Sequence, residues 1–161
     1  MVTAPLPHPK LVRDMLADLL GRDVDIAPGE PVLPTQDTRA SVGVYVAGSL
    51  TTAAAICADL NLTAFAGASL GLIPPATAEA AIEEGVVPAN IWENFAEVLN
   101  ICASLLNRDD SGHVKLYNSY APDQLPPNDI SQLLRGFGGR LDLEVSVAGY
   151  GKGALSLVRV L

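Results

Sequence analysis

The sequence predicts an α+β fold in which helices pack on a largely antiparallel β-sheet. Three observations predict it. Residues 9–20 and 90–107 carry apolar side chains at helical spacing. Residues 40–47, 141–148 and 154–161 alternate or are β-branched, as strands are. The last two strand segments are joined by the glycine-rich Gly149-Tyr150-Gly151-Lys152-Gly153, which reads as a hairpin turn, so the order of helices and strands is not that of repeated βαβ units.

Along the chain, Val12, Met15, Leu16, Leu19 and Leu20 mark a first helix, and Gly21 stands where a left-handed residue commonly ends one. Residues 23–26 and 40–47 read as strands. Ser49 can cap a helix through Thr52, Ala55, Ile56 and Leu60, because alanine favours helix and Ser is a good N-cap. Residues 61–75 are rich in small residues, Gly and Pro and carry no pattern that assigns them to helix or strand; a short helix over 76–84, ended by Gly85, follows. Asn90 is placed as the N-cap of the next helix, with Glu93 completing a capping-box-like pair. Ile91, Phe95, Val98, Leu99, Cys102, Leu105 and Leu106 then form its apolar stripe. Residues 113–117 read as a strand, and 129–134 as a short helix after a proline-rich link.

Composition narrows the function. A length of 161 residues suits one domain, 1–161, with a single core. A net charge of −8 repels a phosphate backbone, and the ten Lys and Arg are scattered, so nucleic acid is excluded as an expected partner. Cys57 and Cys102 lie in apolar patterns, which fits reduced core thiols and a cytoplasmic setting. Neither a secretory signal nor a run of about 18 apolar residues is present, so no membrane association is expected.

On the 90–107 helix, Glu93, Glu97, Asn100 and Ser104 fall within roughly 60° of one another, opposite the apolar stripe. Any surface helix has such a polar face. Yet Glu97 and Asn100, at i and i+3, project side by side. A carboxylate can hold a cation, and a carboxamide donates and accepts at once, which suits orienting a water. Together they could assist hydrolysis of a phosphoryl group held on a partner, where positioning supplies most of the catalysis.

These residues resemble the CheX/CheC/FliY group of chemotaxis phosphatases. The likeness covers most of the chain: an N-terminal helix leading into strands, the segment Gly48-Ser49-Leu50-Thr51-Thr52-Ala53-Ala54-Ala55 after a strand, and closing strands near Gly149. Above all, Glu97-Val98-Leu99-Asn100-Ile101-Cys102-Ala103 is similar to the family's signature helix. The resemblance implies a CheC/CheX-like two-layer domain that removes the aspartyl phosphate of a response regulator. It implies that Glu97 pairs with the regulator's active-site lysine and that Asn100 orients the attacking water; Glu93 and Ser104, on the same polar ridge, are read from their position as further partner-binding residues. It implies no cofactor of the chain's own, any magnesium being bound by the regulator, and a possible homodimer, for which the C-terminal strand could supply an edge. Ser104 departs from a glycine usual in the family, and with one E-x-x-N motif the chain is closer to the single-motif CheX type. The alternative function is a non-catalytic adaptor or flagellar-switch-like module on the same fold.

Other motifs compete less well. Gly67-Ala68-Ser69-Leu70-Gly71 fits the G-x-S-x-G nucleophile elbow, with Asp109 or Asp110 and His113 downstream, but Pro74 and Pro75 follow too soon for the elbow's strand-turn-helix. Lys152 among glycines lacks the spacing and hydroxyl of a P-loop. His8 and His113 stand at no metal-ligand spacing from either cysteine. Trp92, on the flank of the signature helix, is a packing residue or a docking anchor.

Overall fold

The computed structural model describes residues 6–107 and 113–160. The elements in order are α1 (Pro9–Leu20), β1 (Val24–Pro28), β2 (Ala40–Val46), β3 (Thr52–Asp59), α2 (Leu60–Leu70), α3 (Pro75–Glu84), α4 (Ala89–Ile101) continued by a 3-10 turn (Cys102–Leu106), β4 (Lys115–Tyr120), α5 (Asn128–Leu134), β5 (Arg140–Val147) and β6 (Gly151–Arg159). The strands form one six-stranded sheet in the order β1-β5-β6-β3-β2-β4, and every neighbouring pair is antiparallel. This is the α+β arrangement that the sequence predicts.

Alternation divides the sheet into two faces. Val24, Tyr45, Ala54, Ile56, Ala58, Leu143, Val145, Leu155 and Leu157 point to one side, where α1, α2 and α4 close the main core. Val42, Val44, Ala55, Cys57 and Val158 point to the other, where α5 supplies Ile130 and Leu134 and the 29–39 segment supplies Val32. A cover of α5 and an irregular segment thus lies behind the sheet.

The alanine-rich helix expected after Ser49 is not there. Residues 52–59 form β3, the partner of both β2 and β6, and residues 54–58 are fully buried. Alanine's helix preference is worth a fraction of a kcal/mol per residue, whereas a strand in the middle of a sheet satisfies its backbone on both sides and buries both faces. The helix begins ten residues later. Asp59, not Ser49, caps it, its carboxylate accepting from the Leu62 amide at 2.8 Å. The small-residue segment that the sequence leaves unassigned is therefore largely α2, buried continuously from Leu62 to Ser69. Gly67 lets α4 approach α2: a Cβ there would stand 2.5 Å from the Ile91 carbonyl oxygen.

Two smaller expectations also change. Pro88, not Asn90, occupies the N-cap of α4, with no side-chain capping bond; the Asn90 carboxamide accepts from the adjacent Ile91 amide, so Glu93 closes no capping box. The C-terminal strand β6 is internal, between β5 and β3, and offers no edge; the open edges belong to β1 and β4.

Candidate functional site

The apolar stripe of α4 seats it on the core: Ile91, Phe95, Val98 and Leu99 are at most 2% exposed, and Cys102, Leu105 and Leu106 continue the seam through the 3-10 turn. Helical geometry then places Glu93, Glu97 and Asn100 on the opposite face, and all three are exposed, as is Ser104. The sequence-predicted ridge is thus a surface feature. Among the described residues, the side chains of Glu93, Glu97 and Asn100 make no hydrogen bond or ion pair, so the adjacent carboxylate and carboxamide are presented outward.

Ser104 is less well aligned than the sequence suggests. The chain tightens from α to 3-10 after Ile101. Each residue then turns by about 120° instead of about 100°, which swings Ser104 off the line of the other three.

Several contacts fix α4 beneath the ridge. The buried Tyr45 of β2 donates its hydroxyl to the Leu99 carbonyl at 2.5 Å. Asn94 donates its amide to the Gly67 carbonyl of α2 at 3.0 Å. Past the 3-10 turn, the Asn107 carboxamide donates to the Ala103 and Val114 carbonyls at 3.0 and 2.6 Å and accepts from the Val114 amide at 2.6 Å, which ties the end of the helix to the entry of β4. Trp92 packs its ring against Phe95, centroids 6.5 Å apart, and is half-buried.

Trp92 also lines a cleft that periodicity does not reveal. About 390 Å³ in volume, it lies between the α3–α4 connection (Val86, Val87, Ala89), Arg39 and the Ala121-Pro122-Asp123 segment after β4. Arg39 crosses it to donate to the Gly85 carbonyl at 2.6 Å. Its walls come from three distant stretches of chain, so the sequence carries no local signal for it.

The competing motifs do not assemble. Ser69 lies within α2, 1% exposed, on no strand-to-helix turn, so the G-x-S-x-G pentad is not a nucleophile elbow. Asp109 and Asp110 lie outside the described residues, and His113 is exposed just before β4. Lys152 is on β6 and pairs with Glu144 across the hairpin at 2.9 Å. His8 accepts from the Lys10 amide at 3.1 Å at the start of α1. Cys57 and Cys102 are buried on opposite sides of the sheet, and burial pushes each thiol up to about 12, Cys57 with help from the Asp59 charge. Among the described residues no group of three or more His, Cys, Asp or Glu is placed to hold a metal. No described helix is long and apolar enough to cross a membrane.

No protein-family model matches the chain, and no curated protein matches it in sequence. Solved structures do match in fold. The middle domain of FliM from Vibrio alginolyticus superposes with a TM-score of 0.57 at 9% identity, covering 93% of this chain and 87% of that one. The FliM middle domain from H. pylori does so with a TM-score of 0.55 at 7% identity, over 93% and 83%. CheX, in its complex with CheY, BeF3 and magnesium from Borrelia burgdorferi, superposes with a TM-score of 0.51 at 14% identity, over 90% of each chain. At such identities the likeness is one of fold, and on it this chain has a CheC/CheX/FliY-type fold.

Proposed function

We propose that the protein docks on the phosphorylated receiver domain of a response regulator through the α4 ridge and hydrolyses its aspartyl phosphate. The observation that carries this reading is the exposed Glu97–Asn100 pair, side by side one helical turn apart on a rigidly seated helix and engaged by nothing among the described residues. The same fold occurs in a CheX solved together with CheY, BeF3 and magnesium, which supports a receiver-domain partner.

Glu97 supplies a carboxylate for the regulator's active-site lysine, fixing the register of docking. Asn100 reaches the phosphoryl group; its carbonyl oxygen accepts a hydrogen bond from a water while its amide donates to the phosphoryl oxygens, holding the water in line. The water oxygen bonds to phosphorus as the bond from phosphorus to the aspartyl oxygen breaks. Inorganic phosphate leaves, carrying the water's protons, and the free carboxylate is restored. Any magnesium would be held by the regulator, where it would supply charge neutralisation at the phosphoryl group; this chain contributes orientation and exclusion of bulk water. Glu93 and Ser104 flank the contact, and a homodimer would use an open edge strand, β1 or β4.

The test is phosphate release from a phosphorylated receiver domain. Wild-type protein accelerates it; Asn100→Ala loses that acceleration by on the order of a hundredfold because the water is no longer placed. Glu97→Ala loses it chiefly through weaker docking. Both variants keep wild-type stability to within about 0.5 kcal/mol, since both side chains are exposed and unpartnered. Equal rates for all three proteins would refute the phosphatase reading.

The likeness to FliM middle domains favours a second reading, a non-catalytic interaction module using the same ridge. It is distinguished by receiver-domain binding that is weakened by Glu97→Ala without any change in the rate of phosphate loss.

A further inference from the structure

The last four carbonyls of an α-helix have no partner within it. Because α4 proper ends at Ile101, Leu99 belongs to that set, and Leu99 is 1% exposed, so its carbonyl cannot turn to water. A buried unpaired carbonyl costs about 1–3 kcal/mol. Here a single side chain from the sheet meets it: the Tyr45 hydroxyl, 0% exposed, at 2.5 Å. The ring that carries the hydroxyl lies against Gly43, two residues earlier on the same face of β2; a Cβ at Gly43 would stand 3.2 Å from the Tyr45 oxygen.

This bond sits where the helix changes character. Asn100 follows Leu99, and the 3-10 turn begins at Cys102. Asn107 clamps the far end of that turn to Val114. The segment carrying Asn100 is therefore held at both ends by polar contacts, one to β2 and one to the entry of β4, rather than by apolar packing alone.

We propose that Tyr45 is a positioning residue for Asn100: by holding the Leu99 carbonyl, it fixes the turn from which the Asn100 carboxamide reaches the partner. The inference rests on the phosphatase reading above. It separates two functions of the ridge, because Asn100 directly follows the held Leu99 carbonyl at the C-terminal end of α4, whereas Glu97 precedes it, nearer the middle of the helix. Loss of the hydroxyl loosens Asn100 and leaves Glu97 in place, so turnover suffers and docking does not.

The experiment uses the whole chain with Tyr45→Phe, which keeps the ring and removes only the hydroxyl, in phosphate-release kinetics over a range of phosphorylated receiver concentrations. Turnover falls about tenfold while KM stays within twofold of wild type. Amide exchange quickens at residues 100–106 and is unchanged over 91–98. Val44→Ala serves as the stability control: it truncates a buried side chain of the same strand on the opposite face of the sheet and leaves the hydroxyl intact. Its turnover stays at the wild-type value. If Tyr45→Phe turns over like wild type, or if Val44→Ala loses as much, the positioning role is overturned while the phosphatase reading stands. Failure of the wild-type protein to accelerate phosphate loss overturns both.

Discussion

The carboxamide of Asn94 donates to the Gly67 carbonyl across the α2–α4 contact, 3.0 Å from nitrogen to oxygen. The two helices can come this close because residue 67 has no side chain. A Cβ there would lie 2.5 Å from the Ile91 carbonyl oxygen and 2.9 Å from its Cγ2, neither of which is the free end of a flexible chain.

Gly67→Ala thus sets two effects against each other. Helix propensity favours alanine by up to about 1 kcal/mol. Overpacking against a backbone atom costs about 1–3 kcal/mol or more and wins. The variant is expected to be destabilised in urea denaturation, and because α4 must move outward, Asn94 loses its bond as well. A variant as stable as wild type would mean that the helices slide apart without cost.

Two aspartates respond to pH in opposite senses. Burial raises the Asp142 carboxyl, but the hydrogen bonds from Arg140 and Ser156 and the Arg140 charge outweigh it, and the net shift is downward. Arg140 grips it with two bonds of 2.9 Å, and Ser156 donates at 2.6 Å. A lowered folded value means stability that is present above the ordinary carboxylate pKa of about 3.9 and is lost as pH falls through the lower folded value. Asp142→Asn is expected to cost about 1 kcal/mol at pH 7 and to reduce the acid sensitivity of the melting temperature. For Asp59 burial is the dominant cause and the shift is upward, despite bonds from the Leu62 and Ala154 amides. Its contribution is full below the ordinary carboxylate range and is lost as pH rises through the raised value. Asp59→Asn keeps an acceptor for Leu62 without the buried charge. It is therefore expected to match or exceed wild-type stability at pH 7, whereas Asp59→Ala loses about 1 kcal/mol with the cap. Melting curves of wild type and the three variants from pH 3 to 8 check both signs.

Both cysteines are buried, and both are expected to be unreactive in the folded protein. Burial pushes each to about 12, so almost no thiolate exists at neutral pH, and neither sulfur is exposed. Thiol-reactive reagent at pH 8 is expected to modify neither cysteine until the protein unfolds, with a rate that rises in denaturant in step with the loss of secondary structure. Rapid labelling of Cys102 in native buffer would mean that the α4 seam opens locally.

Legibility followed exposure. Helices with one wet face, α1 and α4, announced themselves through the 3.6-residue period, and β5 through alternation, because each has water on one side to select polar residues. The segment from Thr52 to Leu70 has no such side. In β3, residues 54–58 are buried from both faces, and α2 is buried from Leu62 to Ser69, so neither shows a period and alanine content pointed the wrong way. A serine and an aspartate are equally good caps in isolation, so the sequence points to Ser49, ten residues before the cap that the structure uses, Asp59.

The sequence by itself determined the α+β class, the seam of α4 and, through the fixed turn per residue, that Glu93, Glu97 and Asn100 face away from the core. Local geometry suffices for that. Only the tertiary structure decided that Ser104 swings off the ridge, that β6 is internal and that Tyr45 meets Leu99. Those facts depend on which strand lies beneath which turn of helix, a relation between residues 54 apart in sequence for the Tyr45 bond. Long-range packing sets it, and no local pattern records it.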